Sequence, residues 1–316
     1  MTDTLERIDY DSAAFNRYAH IKVKPVPGPI GAEIECGDVR ALEPEAIAEV
    51  RKAWLDHLVV LFRGCTLSDD DLLRVGRYFG ELEQSPPTAV AQQAHRPNPY
   101  VSIISNVIEN GVSIGSLGND EAIWHTDMSN CPVPPAASVL TSLEVPSGSG
   151  GETGFINMYA ALATLPAELR SRIEGRSIYH DGSRNAAGVK RRQSISTSHP
   201  IIRTHPETGR SALYLGRRRD SYIEGLPAAD SDALLDALWA HTTAQPAWHH
   251  EWKVGDTVVW DNRCAIHHRN SFDAAARRVM HRTQTQGTKP FFDADAPRGV
   301  HPRGTLSPGR PTAAAA

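Results

Sequence analysis

The chain has 316 residues, of which 40% are hydrophobic and 22% are charged, a composition that is ordinary for a globular protein. A formal net charge of -4 argues against nucleic acid or an anionic membrane as the main partner. No pair of cysteines has CxxC spacing, no run of about 18 apolar residues could span a bilayer, and the polar start MTDTLERIDYD lacks a signal core, so a cytoplasmic location is expected.

The first part of the chain alternates strand and helix patterns before it reaches a long polar stretch. The predicted elements are an N-terminal arm (1–20), an alternating strand (21–26), an amphipathic helix (41–56), a strand buried on both faces (58–62) and a second helix capped by Ser68 that ends near residue 78. Pro, Gly, Asn and Gln dominate from 86 to 120, around one predicted strand at 100–105. We interpret this stretch as a lid or substrate loop.

Short strands dominate the rest of the chain. They are predicted at 123–127, 137–143, 177–180, 201–204, 212–215, 247–252, 256–260 and 279–284, with helices after Asn157, at 166–174 and at 228–241, and with a disordered tail from 296 to 316. This order predicts a mainly β fold with flanking helices, a double-stranded β-helix or jelly roll, as one domain over 21–295. Strict alternation of strand and helix is absent, which disfavours a doubly wound fold.

A His-x-Asp triplet follows an apolar approach at the middle of the chain. Positions i and i+2 of an extended segment point the same way, so His125 and Asp127 share a face. One more histidine from a distant strand would complete the two-His-one-carboxylate triad of non-haem Fe(II) oxygenases. His267, which follows the predicted core strand at 256–260 and a turn, is the candidate, and His249 and His250 are its competitors.

Two arginines in the last predicted strand region form a second group of candidate functional residues. Arg278 and Arg282 are four residues apart, which keeps both guanidiniums on one face of a strand. Two such groups near a metal would suit a keto-acid cosubstrate and an acidic substrate, whereas the alternative is a pair of surface ion pairs. The basic run Arg217–Arg219 is interpreted as a solvated face or an oligomer contact rather than an anion site.

Taken together, these residues resemble the taurine dioxygenase and 2,4-dichlorophenoxyacetate dioxygenase family of Fe(II)- and 2-oxoglutarate-dependent oxygenases. The similarity covers roughly residues 21 to 290. Its motifs, in family order, are IGAEI at Ile30–Ile34, HLVVLFRG at His57–Gly64, FGELE at Phe79–Glu83, WHTD at Trp124–Asp127, GGET at Gly150–Thr153, HPIIRTHPETGR at His199–Arg210, WDNRCAIHH at Trp260–His268 and ARRVMHRTQTQG at Ala276–Gly287. The stretch at 104–107 resembles the phenoxyacetate branch more closely than the taurine branch.

The resemblance implies a role for each motif residue. His125, Asp127 and His267 match the iron ligands, and Thr153 and Arg278 match the groups that bind the C5 carboxylate of 2-oxoglutarate. Fe(II) is thus the implied metal, with 2-oxoglutarate and O2 as cosubstrates.

The substrate end of the site departs from the taurine enzyme. Arg282 matches the arginine that meets the substrate's acid group there. Ser85 and Glu121 stand where the taurine enzyme has a His and an Asn, so both are expected to face the substrate and taurine itself is a poor fit.

The implied reaction is hydroxylation of a small organic acid, coupled to oxidative decarboxylation of 2-oxoglutarate to succinate and CO2. Hydroxylation of a carbon that bears oxygen, nitrogen or sulfur would cleave the bond. The resemblance also implies a homo-oligomer. Two alternatives stay open, a zinc-type His-Asp-His metallohydrolase and a non-catalytic jelly-roll protein that binds a small molecule.

Overall fold

The computed structural model describes residues 18–85, 98–148, 150–190 and 194–295. Most of the predicted arm at 1–20, the tail at 296–316 and the stretch 86–97 of the predicted lid lie outside these ranges. The helices of the described ranges are α1 (Pro44–His57), α2 (Asp69–Gly76), α3 (Met158–Ala163), α4 (Ala167–Ile173) and α5 (Ala228–Thr243). None of these helices is long and apolar enough to cross a membrane.

Strands make up most of the remaining regular structure. In chain order they are β1 (Lys22–Pro25), β2 (Ala32–Glu35), β3 (Val59–Phe62), β4 (Leu82–Glu83), β5 (Ser102–Ser105), β6 (Ile108–Glu109), β7 (Val112–Ser113), β8 (Ser116–Leu117), β9 (Ala122–His125), β10 (Ala137–Glu144), β11 (Thr153–Asn157), β12 (Ser177–His180), β13 (Thr197–Pro200), β14 (Ile202–Thr204), β15 (Ser211–Leu213), β16 (Tyr222–Ile223), β17 (Ala247–His250), β18 (Thr257–Asp261), β19 (Ala265–Arg269) and β20 (Val279–Thr285).

Two sheets form the centre of the molecule. The major sheet has the order β1-β2-β3-β18-β10-β20-β5-β8, with β4 also paired to β20. The minor sheet has the order β17-β11-β19-β9. Apolar residues of the two sheets pack in one core cluster, in which the ring centroids of Phe155 (β11) and Trp260 (β18) are 5.8 Å apart. This arrangement is the predicted jelly roll.

Strand β3 of the major sheet is buried on both faces, as the apolar run at 58–62 predicts. Along β3, Val59 and Leu61 pack into the cluster between the sheets, while Val60 and Phe62 pack into a second cluster that contains Trp54 of α1. Successive side chains of a strand point to opposite faces, so a strand with a core on either side carries no polar alternation.

The structure departs from the predicted elements in several places. A short 3-10 turn at Val39–Ala41 precedes α1, which begins only at Pro44 because proline fits the first helical position. The described part of the predicted lid, 98–120, contains β5 to β8 rather than one strand, and β5 and β8 extend the major sheet. Strands β11, β13, β16 and β19 carry no alternating apolar pattern and are not predicted. Strands β2, whose sequence AEIE does alternate, and β4, which has only two residues, are also not predicted.

Candidate metal centre

The two histidines of the predicted triad lie on neighbouring strands. His125 ends β9 and pairs in register with His267 on β19, and their ring centroids are 4.2 Å apart. Asp127 lies two residues after the end of β9. Its Oδ1 lies 3.6 Å from His125 Nε2, and its Oδ2 lies 3.9 Å from His267 Nε2. One ligand atom from each residue falls within 4.8 Å of the other two, so all three can bind the same ion.

Hydrogen bonds to neighbouring residues orient His125 and Asp127. His125 Nδ1 donates to the carbonyl of Ile123 at 2.7 Å, which leaves the lone pair of Nε2 for a metal. The side chain of Asn262 accepts from the Asp127 backbone N–H at 2.8 Å and donates to the Asp127 carbonyl at 2.9 Å. Ser138 Oγ donates to Asp127 Oδ2 at 2.9 Å. The carboxylate is therefore held at both its backbone and its side chain.

The charge state of the ligands suits a metal. Burial opposes the charge of Asp127, but the neighbouring Arg282 guanidinium holds the pKa of its carboxyl well below the usual range. Burial, together with the neighbouring His125, holds the pKa of His267 well below that of a free imidazole. A carboxylate and neutral imidazoles are the forms that bind a metal. With two nitrogen ligands and one oxygen ligand, the site fits a non-haem Fe(II) ion.

A partly enclosed pocket adjoins the triad. Its wall combines apolar side chains from both sheets with polar groups, and no Asp or Glu is among its described lining residues. The lining residues are Ile104, Leu117, Ala122, Leu140 and Trp260 on the apolar side, and His125, His267, Thr153, Arg269, Arg278 and Arg282 on the polar side.

Arg278 has the properties expected of an anion-binding group. Its side chain is only 2% exposed, and its Nε and Nη1 have no hydrogen-bond partner among the described residues. Burial and the nearby Arg269 lower the pKa of Arg278 to about 9. Its backbone N–H donates to Asn106 Oδ1 at 3.0 Å, which fixes the residue at the start of β20. Thr153, the other predicted 2-oxoglutarate contact, lines the same pocket.

The predicted substrate contacts occupy different surroundings. Arg282 lines the pocket, and its Nη1 donates to both carboxylate oxygens of Asp127 at 3.1 Å. Ser85 is partly buried and Glu121 is exposed. Neither Ser85 nor Glu121 is among the described residues that line the pocket.

The competing histidines contact other side chains than the triad. His249 Nε2 lies 3.2 Å from the Nε2 of His268, which faces the side of β19 opposite to His267. His250 Nε2 lies 3.2 Å from a carboxylate oxygen of Asp256. His267 is thus the histidine that the fold brings to Asp127.

The basic run at 217–219 is not one surface. Arg217 is buried and donates to the carbonyl of Arg184 at 2.6 Å. Arg218 forms ion pairs with Asp232 and Asp236 on α5. The arginines therefore point to different partners, which does not favour a shared anion site.

Several residues of the site were not singled out from the sequence, among them Ser138, which bonds Asp127. Asn262 and Asn106 position other residues through their amide groups, a role for which a single sequence carries no signal. Arg269 lies two residues after His267, and the i, i+2 rule would have placed it on the same pocket-facing side had β19 been recognised as a strand.

Several known proteins are similar to this chain in sequence and fold. The family model described as "Taurine catabolism dioxygenase TauD, TfdA family" matches residues 22–284. Pentalenolactone F synthase of Streptomyces arenae is 34% identical over 283 residues, which cover 82% of this chain and 93% of that protein. The alpha-ketoglutarate-dependent 2,4-dichlorophenoxyacetate dioxygenase of Cupriavidus pinatubonensis is 31% identical, with 84% and 97% covered. A solved structure of a taurine dioxygenase from Burkholderia xenovorans has a TM-score of 0.71 and 30% identity, with 89% and 93% covered.

These similarities agree with the geometry of the site. They confirm the family resemblance, the jelly-roll fold and the oxidoreductase class, with Fe(II), 2-oxoglutarate and O2 as metal and cosubstrates. They favour neither the zinc hydrolase nor the non-catalytic alternative. Since the matched region spans most of the chain and relatives above 30% identity are covered almost completely, the chain belongs to the taurine catabolism dioxygenase TauD/TfdA family.

Proposed function

We propose that this dioxygenase hydroxylates a small organic anion that resembles an aryloxyalkanoate more than taurine. The observation that carries the proposal is the pocket beside the triad, which combines an apolar wall with arginines and lacks any described acidic lining residue. An apolar body with one acid group matches such a surface, because the guanidiniums receive the acid and the apolar residues receive the body.

Each part of the site has a task in this proposal. His125, Asp127 and His267 hold the metal, and bound Fe(II) supplies the oxygen chemistry with 2-oxoglutarate as the co-oxidised substrate. Thr153 and Arg278 bind the C5 carboxylate of 2-oxoglutarate. The Thr153 hydroxyl oxygen accepts from Trp252 Nε1 at 2.9 Å, so its own proton is free to be donated to a carboxylate.

The proposed substrate lies against the apolar side chains, with its acid group towards Arg282. One Nη of Arg282 bonds Asp127, while its Nε has no partner among the described residues. Ile104, Leu140 and Trp260 provide the apolar contact. Ser85 and Glu121 remain substrate contacts that only the family resemblance suggests. Where the hydroxylated carbon bears an ether oxygen or a sulfur, the product would break at that bond.

We further propose that the chain works as a homo-oligomer in the cytoplasm. The similarity to the family supports the oligomer, and the absence of disulfides among Cys36, Cys65, Cys131 and Cys264 is in keeping with a reducing compartment. Sedimentation of the purified protein tests the first statement, and localisation of a tagged chain tests the second.

The function is tested by succinate release in the presence of Fe(II), 2-oxoglutarate and O2. Phenoxyalkanoates, sulfonates, sulfate esters and amino-acid-like acids form the substrate panel, and we expect the strongest stimulation from a phenoxyalkanoate. Stimulation by taurine alone, or turnover without oxygen, would contradict the proposal.

The same assay tests the metal centre through Asp127→Ala. We expect loss of substrate-dependent succinate release and of stoichiometric Fe(II) binding, because the variant removes the one anionic ligand of the triad. Asp70→Ala, which removes an exposed carboxylate from the first turn of α2, is the matched control and should keep full activity. Full turnover by Asp127→Ala would exclude the triad.

A further inference from the structure

Arg269 is the one pocket arginine that the family motifs do not account for. It lies on β19 two residues after His267, and its Cα pairs in register with Thr153 on β11. Its side chain lines the pocket and is only 5% exposed. Arg269 is therefore placed between the metal ligand and the proposed 2-oxoglutarate contact.

The guanidinium of Arg269 is bound by main-chain oxygens rather than by an acid. Its Nη1 donates to the carbonyl of Gly118 at 3.0 Å, and its Nη2 donates to the carbonyls of Leu117, at 3.1 Å, and Asp120. Its Nε has no partner among the described residues. One side chain thus ties down residues 117–120, which we call the tied segment.

The tied segment forms part of the pocket wall. Leu117 lines the pocket, whereas Gly118 and Asp120 are exposed, so the segment separates the pocket from solvent. The φ angles of Leu117 and Gly118 are +74° and +50°. Leucine is unfavourable in the left-handed region, so the segment needs contacts from outside to keep this conformation.

The tied segment also leads directly into β9. Ala122 begins that strand, and His125 ends it as a metal ligand. A second contact supports the segment from the β19 side, since the backbone N–H of Phe272 donates to the Asn119 carbonyl at 3.2 Å. Order in the tied segment therefore bears on the position of His125.

We propose that Arg269 is a positioning residue that couples the order of the tied segment to occupancy of the anion site by 2-oxoglutarate. Arg269 and Arg278 are like charges that face one pocket, and no described acidic side chain lines it. The C5 carboxylate bound at Arg278 and Thr153 reduces the repulsion between the two guanidiniums, which stabilises Arg269 where it holds the segment. This coupling rests on the proposed function, whereas the tie itself does not.

Hydrogen exchange of the peptide 114–124 measures the tie without any turnover. In the ligand-free protein, Arg269→Gln should speed exchange at 118–122 by about tenfold or more, because charge-assisted bonds to three carbonyls are lost. Arg269→Lys should lie between, since a lysine ammonium reaches some of these oxygens. Arg277→Gln, which removes an exposed arginine that pairs with Glu144, should change nothing.

The coupling is measured by the same peptide with and without 2-oxoglutarate under anaerobic conditions. The unmodified protein should show added protection at 118–122 on binding, and Arg269→Gln should show none even at saturating 2-oxoglutarate. A purely structural role of Arg269 would leave the added protection intact, and that result would overturn the coupling.

Other outcomes separate the tie from the proposed function. The tie would be overturned if hydrogen exchange at 118–122 were unchanged in ligand-free Arg269→Gln. It would also be overturned if the exchange rate of the 153–157 peptide of β11 rose by as much as that of 118–122. If Arg269→Gln does not fold, Arg269→Lys takes its place with the same criteria. Failure of the unmodified protein to bind 2-oxoglutarate would overturn the proposed function and the coupling, while the ligand-free comparison would still decide the tie.

Discussion

Hydrogen bonds hold both the carboxylate and the backbone of Asp127. Its carboxylate accepts from Arg282, Ser138 and Gln284, and its backbone is bonded on both sides by Asn262. A buried carboxylate without such donors would be costly, so these bonds keep the charge in place before any ion binds. The same bonds fix the direction of the oxygens that complete the triad.

Arg278 gives the sharpest test of the cosubstrate end of the pocket. Arg278→Ala should raise the KM for 2-oxoglutarate well over tenfold, because a charge-assisted hydrogen bond contributes about 1.5–3 kcal/mol and about 1.4 kcal/mol is a factor of ten. The KM is measured by succinate release. Arg277→Ala removes the neighbouring exposed arginine and should keep the KM of the unmodified enzyme. An unchanged KM in Arg278→Ala would take this residue out of the role.

The residues that could be predicted are those whose chemistry is unusual for their position. A His-x-Asp pair and two in-facing arginines are conspicuous because such groups are rarely buried without a task. Asn262 and Ser138 could not be found in this way, since a single buried amide or hydroxyl is common. Their function depends on the backbone that approaches them, which no local pattern encodes.

At the scale of elements, helices were easier to predict than the strands of the site. α2 begins after Ser68 because the side chain of Ser68 and that of Asp71 form a capping box, a signal written in adjacent residues. β19 has the sequence AIHHR, and every one of its residues is buried. Polar residues buried on both faces of a strand erase the alternation on which strand prediction depends.

The capping box also yields a prediction for stability alone. Ser68→Ala removes the acceptor for the Asp71 backbone N–H, so the free energy of unfolding should fall by about 1 kcal/mol. Denaturant unfolding measures the change, and kcat should stay the same because α2 contributes no described pocket-lining residue. Ser68→Asp, which keeps an N-cap acceptor, should restore most of the loss. A drop in kcat that follows the stability loss would show that α2 supports the site.

At the scale of the whole molecule, an ionic network joins α1 to the end of β18. Asp261, at the end of β18, accepts from both His205 and Arg263, and Arg263 bonds Glu207, which pairs with Arg51 of α1. His205, Asp261 and Cys264 also lie close enough to hold an ion. Because both carboxylate oxygens of Asp261 already accept from Arg263, we interpret this cluster as structural.

Burial of histidines away from the metal centre sets the behaviour of the molecule in acid. His180 is 2% exposed and packs against the rings of His199 and Tyr214, with centroids 5.3 and 5.7 Å away. Burial and the neighbouring His199 lower the pKa of His180 to about 3. An unfolded histidine has a pKa of about 6.5. Between pH 6.5 and 3, His180 is therefore protonated in the unfolded chain and neutral in the folded protein.

Stability should therefore be lost as the pH falls below 6.5, at about 1.4 kcal/mol per pH unit for this histidine, or about 2 kcal/mol by pH 5. The glutamine of His180→Gln cannot titrate. Between pH 6.5 and 5, the free energy of unfolding of this variant should therefore fall by about 2 kcal/mol less than that of the unmodified protein. Urea unfolding of both proteins from pH 8.5 to 5 measures the difference. The difference in the free energy of unfolding between the two proteins should stay constant above pH 7.5, and this range serves as the internal control. Below pH 6.5 the difference should become smaller. Parallel curves down to pH 5 would mean that His180 is protonated in the folded protein, and the buried ring cluster would then have to admit a charge.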